Sequence, residues 1–203
     1  ITNIQYDVTF NRETAGQRSL TVDMRFDVSG KGDVILSLPA WTPGAYEITN
    51  FAKWVSGFEA TAGETALDWD KLDYDTWRIR PAGGKQVKVS FQFHADSLDN
   101  AMAWSREDFA FFNGTNILLY PEGRGPDFGA TLRVNTEKDW LVATGMRGSV
   151  AGGFREKTYH DLVDMPFFVG RIDYDSMTVD GLNVRLATYP AGKLSGPARA
   201  DFW

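Results

Sequence analysis

The sequence predicts an all-β fold, built of antiparallel sheets with a few short helical turns. Two observations carry this prediction: apolar and polar residues alternate with period two through several long runs, and helix signals are scarce. The chain has 203 residues, 43% hydrophobic and 14% aromatic, enough to bury a substantial core as one large β domain.

The first run places Ile4, Tyr6, Val8 and Phe10 on one face, with Gln5, Asp7 and Thr9 on the other. A polar connection at 11–17 leads to the second, where Leu20, Val22, Met24, Phe26 and Val28 alternate with Thr21, Asp23, Arg25 and Asp27. Shorter strands are expected at 34–38 and 75–80. In the next long run Val87, Val89, Phe91 and Phe93 alternate with Lys88, Ser90, Gln92 and His94. Each run has one face for a core and one for water, as antiparallel sheets do. Ser105-Arg106-Glu107-Asp108 has the form of a capping box that opens a short turn. Further strands are expected at 117–120, 130–134, 140–143 and 167–172, and a second helical turn at 158–163 is stopped by Pro166. The β-prone run 177–186 contains Asp180-Gly181, a pair suited to the two positive φ angles of a two-residue hairpin loop.

No internal repeat or low-complexity stretch occurs. After Pro190, Ala191-Gly192-Lys193-Leu194-Ser195-Gly196-Pro197 reads as a linker. The organisation expected is therefore a β domain at 1–189, then a linker and the start of a further domain at 190–203. The chain opens at Ile1 already in strand pattern, without Met or a signal peptide, and stops at Trp203 in mid-phrase. More protein is expected to follow.

Charge removes several functions. The formal net charge is −6, and the 21 Lys and Arg are scattered among acids rather than clustered. A phosphate-binding surface needs clustered cations, so nucleic acid is not an expected partner, and an anionic membrane is disfavoured. No apolar run approaches the roughly 20 residues of a spanning helix, so no membrane insertion is expected. Cysteine is absent, which excludes disulfides and leaves the compartment open.

Catalytic chemistry is also hard to place. A catalytic zinc takes three protein ligands, chiefly His. This chain has two histidines, His94 on the polar side of a strand and His160 on a turn, and no His-Glu-x-x-His. A site of two histidines and a carboxylate competes with two unrelated side chains, and their separation favours the latter. Gly-x-Ser-x-Gly and phosphate-binding glycine loops are missing, and Gly123-Arg124-Gly125-Pro126 reads as a turn. Asp68 and Asp70, and Asp73 and Asp75, flank Trp69 and Tyr74. They read as solvated loop acids, since adjacency does not make two carboxyls face each other across a cleft. No catalytic or metal-binding residue is assigned.

Three segments stand out. In Leu38-Pro39-Ala40-Trp41-Thr42-Pro43-Gly44-Ala45-Tyr46, followed by Phe51-Ala52-Lys53-Trp54-Val55, two prolines bracket a tryptophan in a rigid turn. Trp41, Pro43, Gly44 and Tyr46 either plug a sheet end or line a cleft or domain interface. In Phe111-Phe112-Asn113-Gly114-Thr115-Asn116, Asn-Gly supplies a tight bend before an apolar run that ends at Tyr120-Pro121-Glu122-Gly123. The third segment, 159–170, is a turn feeding a buried strand through Leu162-Val163-Asp164-Met165-Pro166.

Taken in this order, the three segments resemble the N-terminal region of the glycyl aminopeptidase family of zinc metallopeptidases, whose members often carry a PDZ domain near the C-terminus. The resemblance rests on Trp41-Thr42-Pro43-Gly44-Ala45-Tyr46 with Phe51-Ala52, on Phe112-Asn113-Gly114 through Glu122-Gly123, and on Leu162-Val163-Asp164-Met165-Pro166, and it spans about residues 4–187. It implies a saddle-like or sandwich N-terminal domain, non-catalytic itself. A zinc-bearing catalytic domain in the same polypeptide would act on peptides with N-terminal Gly or Ala, using zinc to polarise the scissile carbonyl and activate water. No cofactor is assigned to this chain, and the zinc belongs to the parent enzyme. The resemblance also implies a substrate-binding loop at Phe112, Asn113, Gly114, Thr115 and Asn116, where an amide oxygen could meet the substrate's ammonium group. It further implies a periplasmic or secreted setting. The alternative is a free-standing binding module, such as a carbohydrate-binding β-sandwich, for which seven Trp and seven Tyr supply stacking faces.

Overall fold

The computed structural model describes residues 1–98, 103–194 and 196–203. The first half of the chain holds β1 (Thr2–Thr9), α1 (Arg12–Gly16), β2 (Ser19–Asp27), β3 (Val34–Ser37), a 3-10 turn (Phe51–Trp54), β4 (Val55–Ala62), β5 (Thr65–Ala66), β6 (Asp68–Asp73), β7 (Thr76–Arg80) and β8 (Gln86–His94). The second half holds β9 (Trp104–Arg106), β10 (Phe109–Asn113), α2 (Gly114–Ile117), β11 (Tyr120–Pro121), β12 (Ala130–Asn135), β13 (Leu141–Thr144), β14 (Arg147–Ser149) and β15 (Gly153–Glu156). It closes with α3 (Tyr159–Val163), β16 (Pro166–Gly170), β17 (Asp173–Val179), β18 (Leu182–Thr188) and α4 (Gly196–Phe202).

One layer is an eight-stranded sheet in the order β14-β15-β12-β1-β2-β8-β4-β5. Its registers follow the alternation. Val8 lies opposite Val22 and Val22 opposite Phe91; Tyr6 lies opposite Met24 and Met24 opposite Val89. Like residues thus stack on one buried face. Among the described residues every strand pairing is antiparallel except that of β1 with β12, which is parallel.

Two smaller sheets cover that buried face, β11-β3-β7-β6 and β13-β16-β10-β9. Phe58 of β4 stacks on Trp77 of β7, with centroids 5.0 Å apart, which seats the first over one end of the large sheet. Phe154 of β15 meets Phe167 of β16 edge-on at 5.8 Å, seating the second over the other end. A single core cluster runs through all three sheets, so the sandwich is one cooperative unit. The hairpin β17-β18 forms a fourth sheet of its own. Both of its turn residues have positive φ, Asp180 at 50° and Gly181 at 80°, as the sequence predicts.

Several expectations are corrected. Residues 11–17 are not merely a polar connection: Asn11 caps α1, accepting from the Thr14 amide at 3.0 Å while its own amide donates to Thr14 Oγ1 at 3.0 Å. Ser105 opens no helical turn. It is buried in β9, and its hydroxyl donates to the Ala95 carbonyl at 3.0 Å. Residues 117–120 are not a strand; the chain leaves α2 and reaches the ladder only at Tyr120, opposite Ser37. Asp68, Asp70 and Asp73 lie on a strand, β6, rather than in a loop. Asp70 pairs with Arg78 at 2.7 Å and Arg80 at 2.8 Å, and Asp68 pairs with Arg80 at 2.9 Å. The stretch after Pro190 runs to Leu194 without helix or strand and leads into α4 at Gly196, and Ser195 lies outside the described residues. Among the described residues no helix is long and apolar enough to cross a membrane.

Candidate functional site

The two small sheets meet at a seam, and the three segments singled out in the sequence converge there. The turn at 41–46 follows β3 of one small sheet. α3 leads into β16 of the other, and α2 with residues 118–119 runs from β10 across to β11, bridging the two.

Gly114 opens the bridge at a point of close backbone approach. A Cβ placed on it would sit 2.6 Å from Val163 Cα and 2.9 Å from the Leu162 carbonyl oxygen, so only glycine lets α2 rest on α3. Asn113 and Asn116 cap the turn reciprocally, the Asn113 amide donating to Asn116 Oδ1 at 2.9 Å. Beyond the turn the chain is buried without a strand partner, and its carbonyls need donors. Two tyrosines supply them. Tyr6, from the large sheet, donates its hydroxyl to the Leu119 carbonyl at 2.6 Å, and Tyr159, from α3, donates to Leu118 at 2.5 Å. Burial raises the pKa of both phenols, so they stay protonated and remain donors.

The proline turn is fastened to the same bridge. Thr42 Oγ1 and Thr115 Oγ1 lie 2.7 Å apart in a buried hydroxyl pair. Gly44 takes φ +87°, the conformation that closes the turn after Pro43, and Trp41 Nε1 donates to the Ala45 carbonyl at 2.7 Å. Trp41 is left half-exposed, and Tyr46 is fully exposed at the tip.

Between these parts lies a cleft of about 430 Å³. Trp41 and Pro43 wall one side, Tyr159 and Val163 the other, with Thr115 between and Tyr120 and Phe128 behind. Phe128 stacks on Tyr159 at 5.2 Å, and Tyr120 packs on Tyr159 at 5.5 Å. Arg124 and His160 stand among this apolar lining. Such a cleft can take an apolar or small side chain and a short stretch of peptide, but it holds no nucleophile poised beside a base. A larger hollow of about 800 Å³ lies elsewhere, around Asn3, Gln5, Arg25 and Lys88 on the wet face of the large sheet. Two of the cations lining it are engaged by sheet neighbours, Arg25 with Asp7 and Lys88 with Asp23 at 3.0 Å.

Of the residues the sequence points to, Trp41, Pro43 and Thr115 line the cleft. Asn113, Gly114 and Asn116 shape the wall from behind, Phe112 is buried in the core, and Tyr46 projects from the turn. The sequence reading misses Tyr120 and Phe128, which line the cleft only because long-range packing carries them there. The two histidines are not brought together: His94 Nε2 lies 3.2 Å from Ser56 Oγ on the large sheet, while His160 stands at the seam. Among the described residues no three His, Asp or Glu side chains gather as a metal site would require.

Comparison with protein families matches residues 5–171 to the peptidase M61 N-terminal domain. The chain belongs to that family. The match agrees with the resemblance read from the three segments, all of which fall inside the M61 N-terminal domain. No curated protein matches the chain. Among solved structures, the aminopeptidase N family protein from Idiomarina loihiensis superposes with a TM-score of 0.81 at 26% identity, covering 91% of this chain and 32% of that one. The M1 zinc metallopeptidase from Deinococcus radiodurans superposes at a TM-score of 0.50 and 13% identity, covering 98% of this chain and 51% of that one, a likeness of fold alone. A mutant of the latter bound to a Tyr-Ser-Ala substrate gives the same TM-score and identity. This M61 N-terminal domain therefore spans about a third to a half of the length of these structures.

Proposed function

We propose that this M61 N-terminal domain is the non-catalytic part of a zinc-dependent aminopeptidase acting on peptides with a small N-terminal residue, Gly or Ala. In this reading it docks on a catalytic domain of the same polypeptide, and its seam cleft walls the substrate's path. The observation that carries the proposal is the convergence of the three segments on one apolar cleft rigid enough to position a ligand. Two carbonyls pinned by buried tyrosines, a buried hydroxyl pair and a glycine contact hold its wall. The similar structures, domains of larger peptidases, support this reading over a free-standing carbohydrate-binding module. The similar Deinococcus radiodurans structure is a zinc metallopeptidase, and in this reading zinc would be held by other parts of the polypeptide. A periplasmic or secreted setting belongs to the same proposal.

Within the loop the labour is divided. Trp41 faces the ligand, while Thr115, through its pair with Thr42, and Asn113 with Asn116 hold the wall behind it. The test is steady-state kinetics of the full-length enzyme carrying Trp41→Ala. Trp41 is half-exposed, so the domain should lose no more than about 1 kcal/mol of stability. KM for a short glycyl or alanyl peptide should rise several-fold, with kcat changed less. Unchanged kinetics in a folded variant would remove the cleft from the substrate's path.

A further inference from the structure

The seam cleft carries a charge that its apolar walls do not call for. Pro39, Trp41, Pro43 and Pro126 give it apolar sides, yet Arg124 and His160 stand in the same lining and no acid does. Most arginines of the fold are committed to carboxylates, among them Arg12 to Glu137, Arg78 to Asp70 and Arg171 to Asp139. Arg124 is not.

Among the described residues Arg124 pairs with no carboxylate. Its Nη1 donates to the Ile1 carbonyl at 2.5 Å, and its guanidinium lies 5.2 Å from the centre of the Phe128 ring. These contacts hold the group in place. They leave Nε and Nη2, one edge of the fork, without a protein partner among the described residues. The acids nearest in sequence do not fill that edge. Glu122 takes the Tyr120 hydroxyl, Asp161 takes that of Thr158 at 2.8 Å, and neither they nor Asp127 and Asp164 line the cleft. A preorganised guanidinium edge beside apolar surface suits a ligand with a carboxylate next to an apolar group.

We propose that the cleft binds the C-terminal end of a short peptide, its free carboxylate on the open edge of Arg124 and its last side chain against Trp41 and the prolines. The proposal rests on the reading of this domain as part of an aminopeptidase and narrows its substrates. They are short peptides with a free C-terminus and an apolar last residue, rather than peptide amides. A terminal carboxylate fits better than an acidic side chain because it sits directly beside the last side chain, as Arg124 sits beside the apolar wall. The volume, about 430 Å³, is that of a site for a small ligand.

The test uses the full-length protein and peptides that differ only at the C-terminus. Gly-Ala-Phe as the free acid should show a kcat/KM about tenfold above that of its amide, the difference lying in KM. Arg124→Gln should abolish that preference, and Arg124→Lys, which keeps the charge without the fork, should restore part of it. Acid and amide turned over alike by the unaltered protein would overturn the proposal. So would an Arg124→Gln protein that loses equally on both, the mark of a merely structural arginine. An amide ending in glutamate that is handled as well as the free acid would also overturn it, assigning the cleft to an acidic side chain. Calorimetric binding of acetyl-Gly-Phe and its amide, which an aminopeptidase does not cut, separates this proposal from the reading beneath it. Tighter binding of the acid by a protein that hydrolyses no peptide sinks the peptidase reading alone. Hydrolysis by a protein that binds acid and amide alike sinks the carboxylate site alone.

Discussion

Gly114 and Tyr159 show how much of the seam depends on single atoms. Gly114→Ala would press a methyl group into the α3 backbone, which cannot yield as a flexible side chain would. Overpacking of this kind costs about 1–3 kcal/mol, to be read as a lowered denaturation midpoint with an unchanged urea slope. Tyr159→Phe keeps the ring contacts with Phe128 and Tyr120 but removes the donor to the Leu118 carbonyl. Leaving a buried carbonyl short of its partner costs about 1–3 kcal/mol, measurable by the same titration, whereas no loss would mean that another donor takes over. The sequence shows Asn113-Gly114 to be special but suggests the wrong reason. It reads as a tight bend, whereas the structure uses Gly114 for contact distance, and only the fold reveals that Val163 is the neighbour.

Strands were readable where one face is buried along their whole length. β1, β2 and β8 lie in the middle of the large sheet, so their alternation is strict. β4 carries little pattern because only Phe58 and Ala60 of its eight residues are buried, and β6 carries none because it is a wet edge strand held by its pairing with β7 and by Asp–Arg contacts. The run 117–120 misled in the opposite direction: its apolar residues are buried, but tyrosine hydroxyls rather than a neighbouring strand satisfy its carbonyls. The tail gives a pH-dependent element. Asp173 accepts the amides of Gly192 and Leu194 at 3.0 Å each, and these bonds, Gly192 first, hold its carboxyl below the usual aspartate range. Because the folded pKa is depressed, the tether is at full strength above the unfolded value of about 3.9. It is lost as the pH falls through the lower folded value. The amide resonances of Gly192 and Leu194 should therefore hold steady from pH 8 to 5 and move together only in strong acid; movement near neutrality would contradict this tether.

Across the whole molecule, the large sheet provides a platform and the two smaller sheets provide a seam, so the cleft is a product of their relative placement. The three segments were visible in the sequence as separate oddities, and their order carried the resemblance to a peptidase family. Their convergence was not visible, because it depends on contacts such as Thr42 with Thr115, 73 residues apart, and Tyr6 with Leu119, 113 residues apart. Local pattern cannot report such distances. The same geometry yields the most direct test of the account: photo-cross-linking in the full-length enzyme, with a photoreactive residue in place of Trp41 and a labelled short peptide bearing N-terminal glycine. Position 41 should label in a way that unlabelled peptide competes away, with no labelling from the same probe at Trp69 on the edge strand β6. Equal labelling at both positions, or none at 41 while the enzyme turns over substrate, would contradict it.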